Sequence, residues 1–198
     1  MPVVEEIKRL AEKVTGIGRP SLDEAVQLVR ERRPRLLLFE DDGATPNNPR
    51  RPMLLYRNAV GFRRHLDPAA IFEQIFARND WEESWRNGIF DFLHFHTRTH
   101  EVLGIARGQA RVQFGGTRGK TVTLRAGDVV MLPAGTGHQR VSPSGNLLVV
   151  GAYPPGGDYD QPRPGEIDHR KAVADIAKVA TPKSHPLYGE HEPLSLFW

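Results

Sequence analysis

The chain has no cysteine among its 198 residues. That excludes disulfides, zinc–thiolate clusters and thiol nucleophiles together, and it suits a reducing compartment. Long apolar runs are missing as well: none approaches the roughly 18 consecutive residues expected of a membrane-crossing helix. The start, MPVVEEIKRLAEKV, alternates charged with apolar residues where a signal peptide would carry an unbroken apolar stretch. A cytoplasmic protein with no membrane partner is the expectation. Strong net charge is absent too, since 27 Lys and Arg face 24 Asp and Glu for a balance of +3. The densest basic spots, RERRPR (30–35) and PRRP (49–52), are short and lack interleaved aromatics. They read as solvated surface, with an anionic ligand as the alternative, and no nucleic-acid partner is expected.

Turn formers, by contrast, are plentiful: 16 prolines and 19 glycines imply many turns and short elements. Val3, Ile7, Leu10, Ala11 and Val14 sit at helical spacing and predict a first helix over 3–14. Ser21 and Glu24 form an S-x-x-E capping pattern that opens a second helix, closed by Pro34. The turn between them is too long for a helix-turn-helix, so a helical hairpin is expected. DDGATPNNPRRP reads as loop and MLLYR as strand. Asp67-Pro68 opens a third helix with Ile71, Phe72, Ile75 and Phe76 on its apolar face, and Trp81 and Trp85 follow at helical spacing as core anchors.

From Ile89 to Tyr153 the texture changes to short apolar runs separated by glycine: IFDFLHF, EVLGIA, ARVQF, KTVTL, DVVML, HQRVS and LLVVGAY. This is the signature of a small β-barrel or sandwich. GGTRGKT lacks the four-residue spacing of a phosphate-cradling loop and is followed by a strand, so it reads as a hairpin turn. A last helix is expected over about Asp168 to Val179, and the tail HPLYGEHEPLSLFW as a loop whose apolar end docks on the barrel.

Within this β region lies GIFDFLHFHTRTHEVLGIARG (88–108), with three histidines and a glutamate inside eight residues of an otherwise apolar run. Burying such groups costs several kcal/mol unless something pairs with them. In a strand, residues two apart share a face, so His94 and His96 point the same way. Glu101 begins the next strand across a tight turn, and His138 follows the glycine-rich PAGTG. Three imidazoles and a carboxylate converging from separate strands suit a divalent transition metal. In an octahedral sphere they leave two positions for water, substrate or oxygen. His100, next to Glu101, should face the other way; it, Arg98 and Gln139 are candidates to support the ligands or meet an anionic substrate. Phe90, Phe92, Leu103, Ile105 and Met131 are candidate pocket lining. His65, His169, His185 and His191 carry no partner spacing and are assigned nothing.

These residues carry a family resemblance. Gly88, His94, His96, Glu101 and Gly108 match the first cupin motif, G-x5-H-x-H-x4-E-x6-G, without a gap. Gly127, Pro133, Gly135 and His138 match the second, G-x5-P-x-G-x2-H-x3-N, with Ser142 in place of its final Asn. The chain therefore resembles the cupins, and from about Leu36 onward it is similar to a group of uncharacterised bacterial single-cupin proteins. The resemblance implies a mainly β fold, a double-stranded β-helix or jelly-roll-like barrel, with N-terminal, mid-chain and C-terminal helices packed outside. It divides the chain into a helical extension, 1–34, and one cupin domain, 35–198, whose metal-binding core spans about 88–153. It implies one divalent metal on His94, His96, Glu101 and His138, iron(II) being favoured over manganese, nickel or zinc. The expected function is a metal-dependent enzyme acting on a small organic substrate, an oxygenase or oxidoreductase first and an isomerase or lyase second. Glu101 is then a ligand or a catalytic base. The alternative is a non-catalytic small-molecule binder or a structural barrel, and a homodimer is expected in either case.

Overall fold

The computed structural model describes residues 17–142, 145–190 and 194–198. The helix expected over 3–14 lies outside them. The described chain runs through α1 (Leu22–Val26), β1 (Arg35–Leu37), β2 (Met53–Tyr56), α2 (Pro68–Arg78), β3 (Glu82–Asn87), β4 (Glu101–Arg107), β5 (Gln109–Phe114), β6 (Lys120–Arg125), β7 (Val129–Leu132), β8 (His138–Arg140), β9 (Leu148–Tyr153) and α3 (His169–Ile176), then a 3-10 turn, Leu194–Leu196. Six strands form one antiparallel sheet in the order β1-β2-β7-β4-β9-β3, and three form a second in the order β6-β5-β8. The fold is mainly β, two antiparallel sheets with helices outside them.

Strand alternation sorts the apolar residues into two cores. On β4, Leu103 and Ile105 face inward with Leu55 of β2, Val130 and Leu132 of β7 and Val149 of β9, where they meet Val112, Phe114 and Leu124 of the smaller sheet. Val102 and Ala106, one residue out of phase, face outward with Leu54, Val129, Met131 and Val150, and α2 covers them. That helix begins as expected, with Pro68 in its first turn and the Asp67 carboxylate accepting the Ala69 N–H. Its Ile71, Phe72, Ile75 and Phe76 are all buried against the sheet. Each such side chain contributes about 2 kcal/mol of apolar burial. The approach is close: a Cβ on Gly104 would lie 2.4 Å from the Phe72 ring.

Three local expectations are corrected. Ser21 and Glu24 do form their reciprocal cap, yet α1 ends at Val26 and not near Pro34. Beyond it the backbone turns to pair with another segment, Arg30 N–H to Ala59 C=O and Gly61 N–H to Leu28 C=O, which outweighs continued helix. IFDFLHF (89–95) is not a regular strand. Phe90 and Phe92 stack with ring centroids 4.8 Å apart, and only His94 pairs, through an isolated bridge to His138. Trp81 and Trp85 are not on a helix. Trp81 follows the left-handed Asp80 and buries its ring, the N–H bonded to Ser184 C=O, while Trp85 lies on β3 beyond a bulge.

The hairpin reading of GGTRGKT agrees with β5 and β6, which pair from Gln109↔Arg125 to Phe114↔Lys120 around Gly115–Gly119. At the tail, Leu194 is buried, Phe197 and Trp198 pack on the outer core, and the Trp198 indole donates to Pro52 C=O. No helix among the described residues is long and apolar enough to cross a membrane.

Candidate metal centre

His94 and His138 are joined backbone to backbone, His94 N–H to His138 C=O at 3.2 Å and His138 N–H to His94 C=O at 2.9 Å. The bridge holds their rings 4.1 Å apart. Gly135 N–H bonds His96 C=O at 2.7 Å and so ties the PAGTG turn to the third histidine. That turn needs its glycine: Gly135 has φ +93°, and a Cβ there would lie 2.4 Å from Asn47 C=O. Glu101 opens β4 in phase with Leu103 and Ile105, so it points inward. The three imidazoles are buried, and one nitrogen from each lies within 4.8 Å of the others.

Each ring is also turned the same way. Nδ1 of His94 faces Phe92 C=O at 3.1 Å, Nδ1 of His138 faces Thr136 C=O at 3.1 Å, and Nδ1 of His96 faces the carbonyl of Asp160. A carbonyl only accepts, so each Nδ1 carries the proton and each Nε2 presents a lone pair. Glu101 Oε2 lies 3.3 Å from Nε2 of both His96 and His138. His96 Nε2 and Glu101 Oε2 are buried with no hydrogen-bond partner, a costly arrangement unless something further binds them. Three lone-pair nitrogens within 4.8 Å of one another suit a divalent cation, and the orphaned Glu101 oxygen lies beside two of them.

The electrostatics point the same way. Burial lowers the His94 pKa to about 3, helped by the neighbouring His138. For His96 burial also works against charge, but the Glu101 carboxylate outweighs it and raises the pKa. Burial would raise the Glu101 pKa, yet His96 and His138 hold it well below the ordinary carboxylate range. The site keeps an anion in the protein interior.

A cavity of about 400 Å³ opens above these residues, and its wall includes Ile89, Phe90, Leu103, Trp85, Tyr153 and Tyr159. Phe90 and Tyr159 are exposed, so the cavity reaches solvent. Arg86, at its edge, is taken up by Glu73 and Asp67.

Of the candidate lining, Phe90 and Leu103 border the cavity. Phe92 stacks on Phe90 outside it, beneath the Arg163 guanidinium. Ile105 lies deeper in the inner core, and Met131 faces α2 on the other side of the sheet. His100 points away from the three clustered imidazoles: its Nδ1 accepts from Ala134 N–H, its Nε2 donates to Ala180 C=O, and its ring rests on Trp198. Burial lowers its pKa to about 3, with Arg51 adding to the effect. Arg98 is exposed and paired with Asp158, and Gln139 lies opposite Gln113 on β5; neither borders the cavity. Of the unassigned histidines, His185 is buried and bonded to Tyr56, His169 pairs with Asp41, His65 is exposed, and His191 lies outside the described residues.

Three residues near the site carried no sequence signal. Tyr153 stands beside Glu101 on the adjacent strand, donates to its Oε1 at 3.2 Å, and accepts from the Trp85 indole at 2.9 Å. Tyr159 packs 5.3 Å from the His96 ring. Asp160 pins the segment that carries His96, its carboxylate accepting from Thr97 N–H and hydroxyl. The β9 parity set by Val149 and Gly151 points to Tyr153 once the pairing is known. Asp160 acts on His96 through its backbone carbonyl, which leaves no mark in a sequence.

The cupin family model matches residues 86–155. Over 168 residues the chain is 38% identical to the uncharacterized protein YjlB of Bacillus subtilis (strain 168), covering 85% of this chain and 98% of that protein. Among solved structures it is similar to acireductone dioxygenase from Bacillus anthracis with a cadmium ion in its active centre, at 18% identity over 44% of this chain and 62% of that chain, TM-score 0.34. It is also similar to Bacillus subtilis oxalate decarboxylase with Mn(II) centres, at 18% identity over 59% of this chain and 29% of that chain, TM-score 0.34. In both, less than two thirds of the solved chain is matched, and likeness at this level says nothing of the substrate of this protein.

Proposed function

The chain belongs to the cupin family, and on that basis we propose that it is a metal-dependent enzyme, an oxygenase or oxidoreductase acting on a small organic molecule. His94, His96, Glu101 and His138 would hold one divalent ion. A set of imidazole and carboxylate without thiolate favours iron(II), with manganese, nickel and zinc as the other candidates. When bound, such an ion supplies Lewis acidity and, as iron(II), one-electron chemistry with oxygen.

The observation that carries this reading is the pair of orphaned atoms, His96 Nε2 and Glu101 Oε2, at the floor of a cavity open to solvent. A barrel merely braced by metal has no need of a mouth, whereas a substrate does. The chain's own groups divide the work. The carbonyls of Phe92, Thr136 and Asp160 hold the three Nδ1 protons and so aim the rings. Leu103, Ile89 and Phe90 offer apolar surface to a substrate. Glu101 has one oxygen hydrogen-bonded and the other facing two imidazoles, which favours a fixed ligand over a mobile base.

Anaerobic loading with iron(II), followed by oxygen uptake across a panel of diketones, thiols and phenolics, tests the activity. Uptake that depends on both iron and one substrate class is expected. No turnover with any class would count against catalysis. Two copies are proposed to pair through β1, an edge strand of the larger sheet, where Leu36 and the adjacent Leu38 are 51% and 58% exposed. Light scattering that gives a monomer at all concentrations would reject the pairing.

A further inference from the structure

The two oxygens of Glu101 have different surroundings. Oε1 accepts the Tyr153 hydroxyl at 3.2 Å, and that hydroxyl accepts the Trp85 indole N–H at 2.9 Å. Oε2 has no hydrogen-bond partner and faces the two histidine nitrogens at 3.3 Å each. The direction of this chain is fixed by chemistry: an indole N–H can only donate, and an ionised carboxylate can only accept. The single hydroxyl proton of Tyr153 must therefore point at Glu101. Trp85 is itself seated, because its ring occupies the space a side chain at position 151 would need; a Cβ on Gly151 would lie 2.2 Å from the indole.

From this geometry we infer that Tyr153, braced by Trp85, is a positioning residue that makes Glu101 a one-oxygen donor, presenting Oε2 to the histidine nitrogens and withholding Oε1. The inference rests on the metal-site reading above and deepens it. A carboxylate free of such a bond binds a cation through either one oxygen or both. Two-oxygen binding would fill a position that a small molecule entering from the cavity would otherwise take. Tyr153 thus keeps that position open without touching it, and Tyr153 is on the cavity wall where a substrate would arrive.

The test uses the full chain loaded with Mn(II), with three readings on each sample: manganese content by elemental analysis, the electron paramagnetic resonance spectrum, and water-proton relaxation. Tyr153→Phe removes only the hydroxyl. At equal occupancy it is expected to change the zero-field pattern of the spectrum and to lower the inner-sphere water contribution by about half, as a second carboxylate oxygen displaces one of about two waters. Superimposable spectra and equal relaxation at one manganese per chain would overturn the positioning role while leaving the metal site standing. A wild-type chain that takes up no manganese would instead overturn the site itself, and the inference with it. If circular dichroism shows Tyr153→Phe unfolded, Trp85→Phe carries the test, since it keeps an aromatic residue at this position of β3 and removes the indole N–H together with the ring that bears it. A shift of the spectrum in Trp85→Phe is expected, and none would overturn the inference.

Discussion

Glu101 Oε2 stands 3.3 Å from Nε2 of His96, and neither atom takes part in a hydrogen bond. Both side chains are buried. Desolvation of a buried carboxylate costs several kcal/mol, and the facing imidazoles of His96 and His138 offset it, holding the Glu101 pKa well below the ordinary range. The charge thus supports the metal-free fold as well as suiting a cation.

Glu101→Gln separates the two effects. It keeps the shape, removes the charge and lets His96 remain neutral. Chelator-stripped Glu101→Gln is expected to be less stable than stripped wild type in urea at pH 7, by about 1 kcal/mol, because the folded chain favours the ionised carboxylate. Its metal affinity is expected to fall by at least about 100-fold, more than the loss of a group that only orients a ligand. His96→Ala strands the carboxylate and leaves a cavity beside it, and should lower metal content and, by a larger margin, metal-free stability. A Glu101→Gln protein less stable than His96→Ala would contradict the account.

The same pair sets a pH dependence. Ligation needs neutral imidazoles, and in the metal-free protein the His96 pKa is raised, burial opposing and Glu101 prevailing. A proton therefore competes with the metal for His96 from above the ordinary value of 6.5 downward. Affinity should be highest on the alkaline side and fall by up to about tenfold per pH unit as acid is added. Metal content after dialysis at graded pH measures this; a flat profile from pH 8 to 5 would refute it.

Much of the site was legible because its chemistry and its spacing coincide. Strand alternation alone puts Glu101 inward with Leu103 and Ile105, and by the same rule sends His100 outward. The histidines were readable for another reason than the one the periodicity offered. His94 and His96 do not share the face of a strand; a single backbone bridge and a glycine turn aim them, both long-range contacts. The same limit accounts for Met131. Its residue type suits a pocket, but its phase on β7 is fixed only by pairing with β2 and β4, where Glu101 lies opposite Leu132. α1 stops early for a tertiary reason too, since its chain leaves to pair with Ala59 and Gly61. Local signals such as the caps at Ser21 and Asp67 were readable; whatever depended on which distant strand lay alongside was not.

His185 supplies a second, independent pH effect. Its Nδ1 accepts from Leu187 N–H at 3.0 Å, so its Nε2 carries the proton and donates to the Tyr56 hydroxyl at 2.8 Å. Burial lowers its pKa from 6.5 to about 3. The unfolded chain takes up a proton near 6.5 that the folded protein refuses until about 3. The stability at stake is intact above 6.5 and is lost as pH falls towards 3, at up to about 1.4 kcal/mol per unit. His185→Asn keeps an acceptor for Leu187 but cannot be protonated. It should be less stable than wild type at pH 8, yet show a shallower loss between pH 6.5 and 4 in urea titrations of the stripped protein. Parallel slopes would exclude His185 as a contributor.

Gly104 and Phe72 mark where the helix that covers the outer core comes closest to the sheet. The glycine sits mid-strand on β4 between Val102 and Ala106, both of which face α2. A Cβ there would lie 2.4 Å from Cδ1 and 2.7 Å from Cγ of the Phe72 ring. Phe72 is fully buried against Phe76 and Phe62, so it has no free direction in which to move. Gly104→Ala should therefore lift the helix or force the ring off its rotamer, at a cost of about 1–3 kcal/mol, although alanine is otherwise the better strand residue. Phe72→Leu alone leaves a cavity and should cost a similar amount. The double variant should be more stable than the sum of the two losses predicts, because the added methyl fills part of the space that the ring vacates. Urea unfolding of all four proteins measures the coupling, and strict additivity would show that helix and strand do not meet at this pair. Gly104 is three residues from Glu101, so a lifted helix should also loosen the floor of the cavity. Gly104→Ala should then bind metal more weakly than wild type, and the double variant should recover part of that loss.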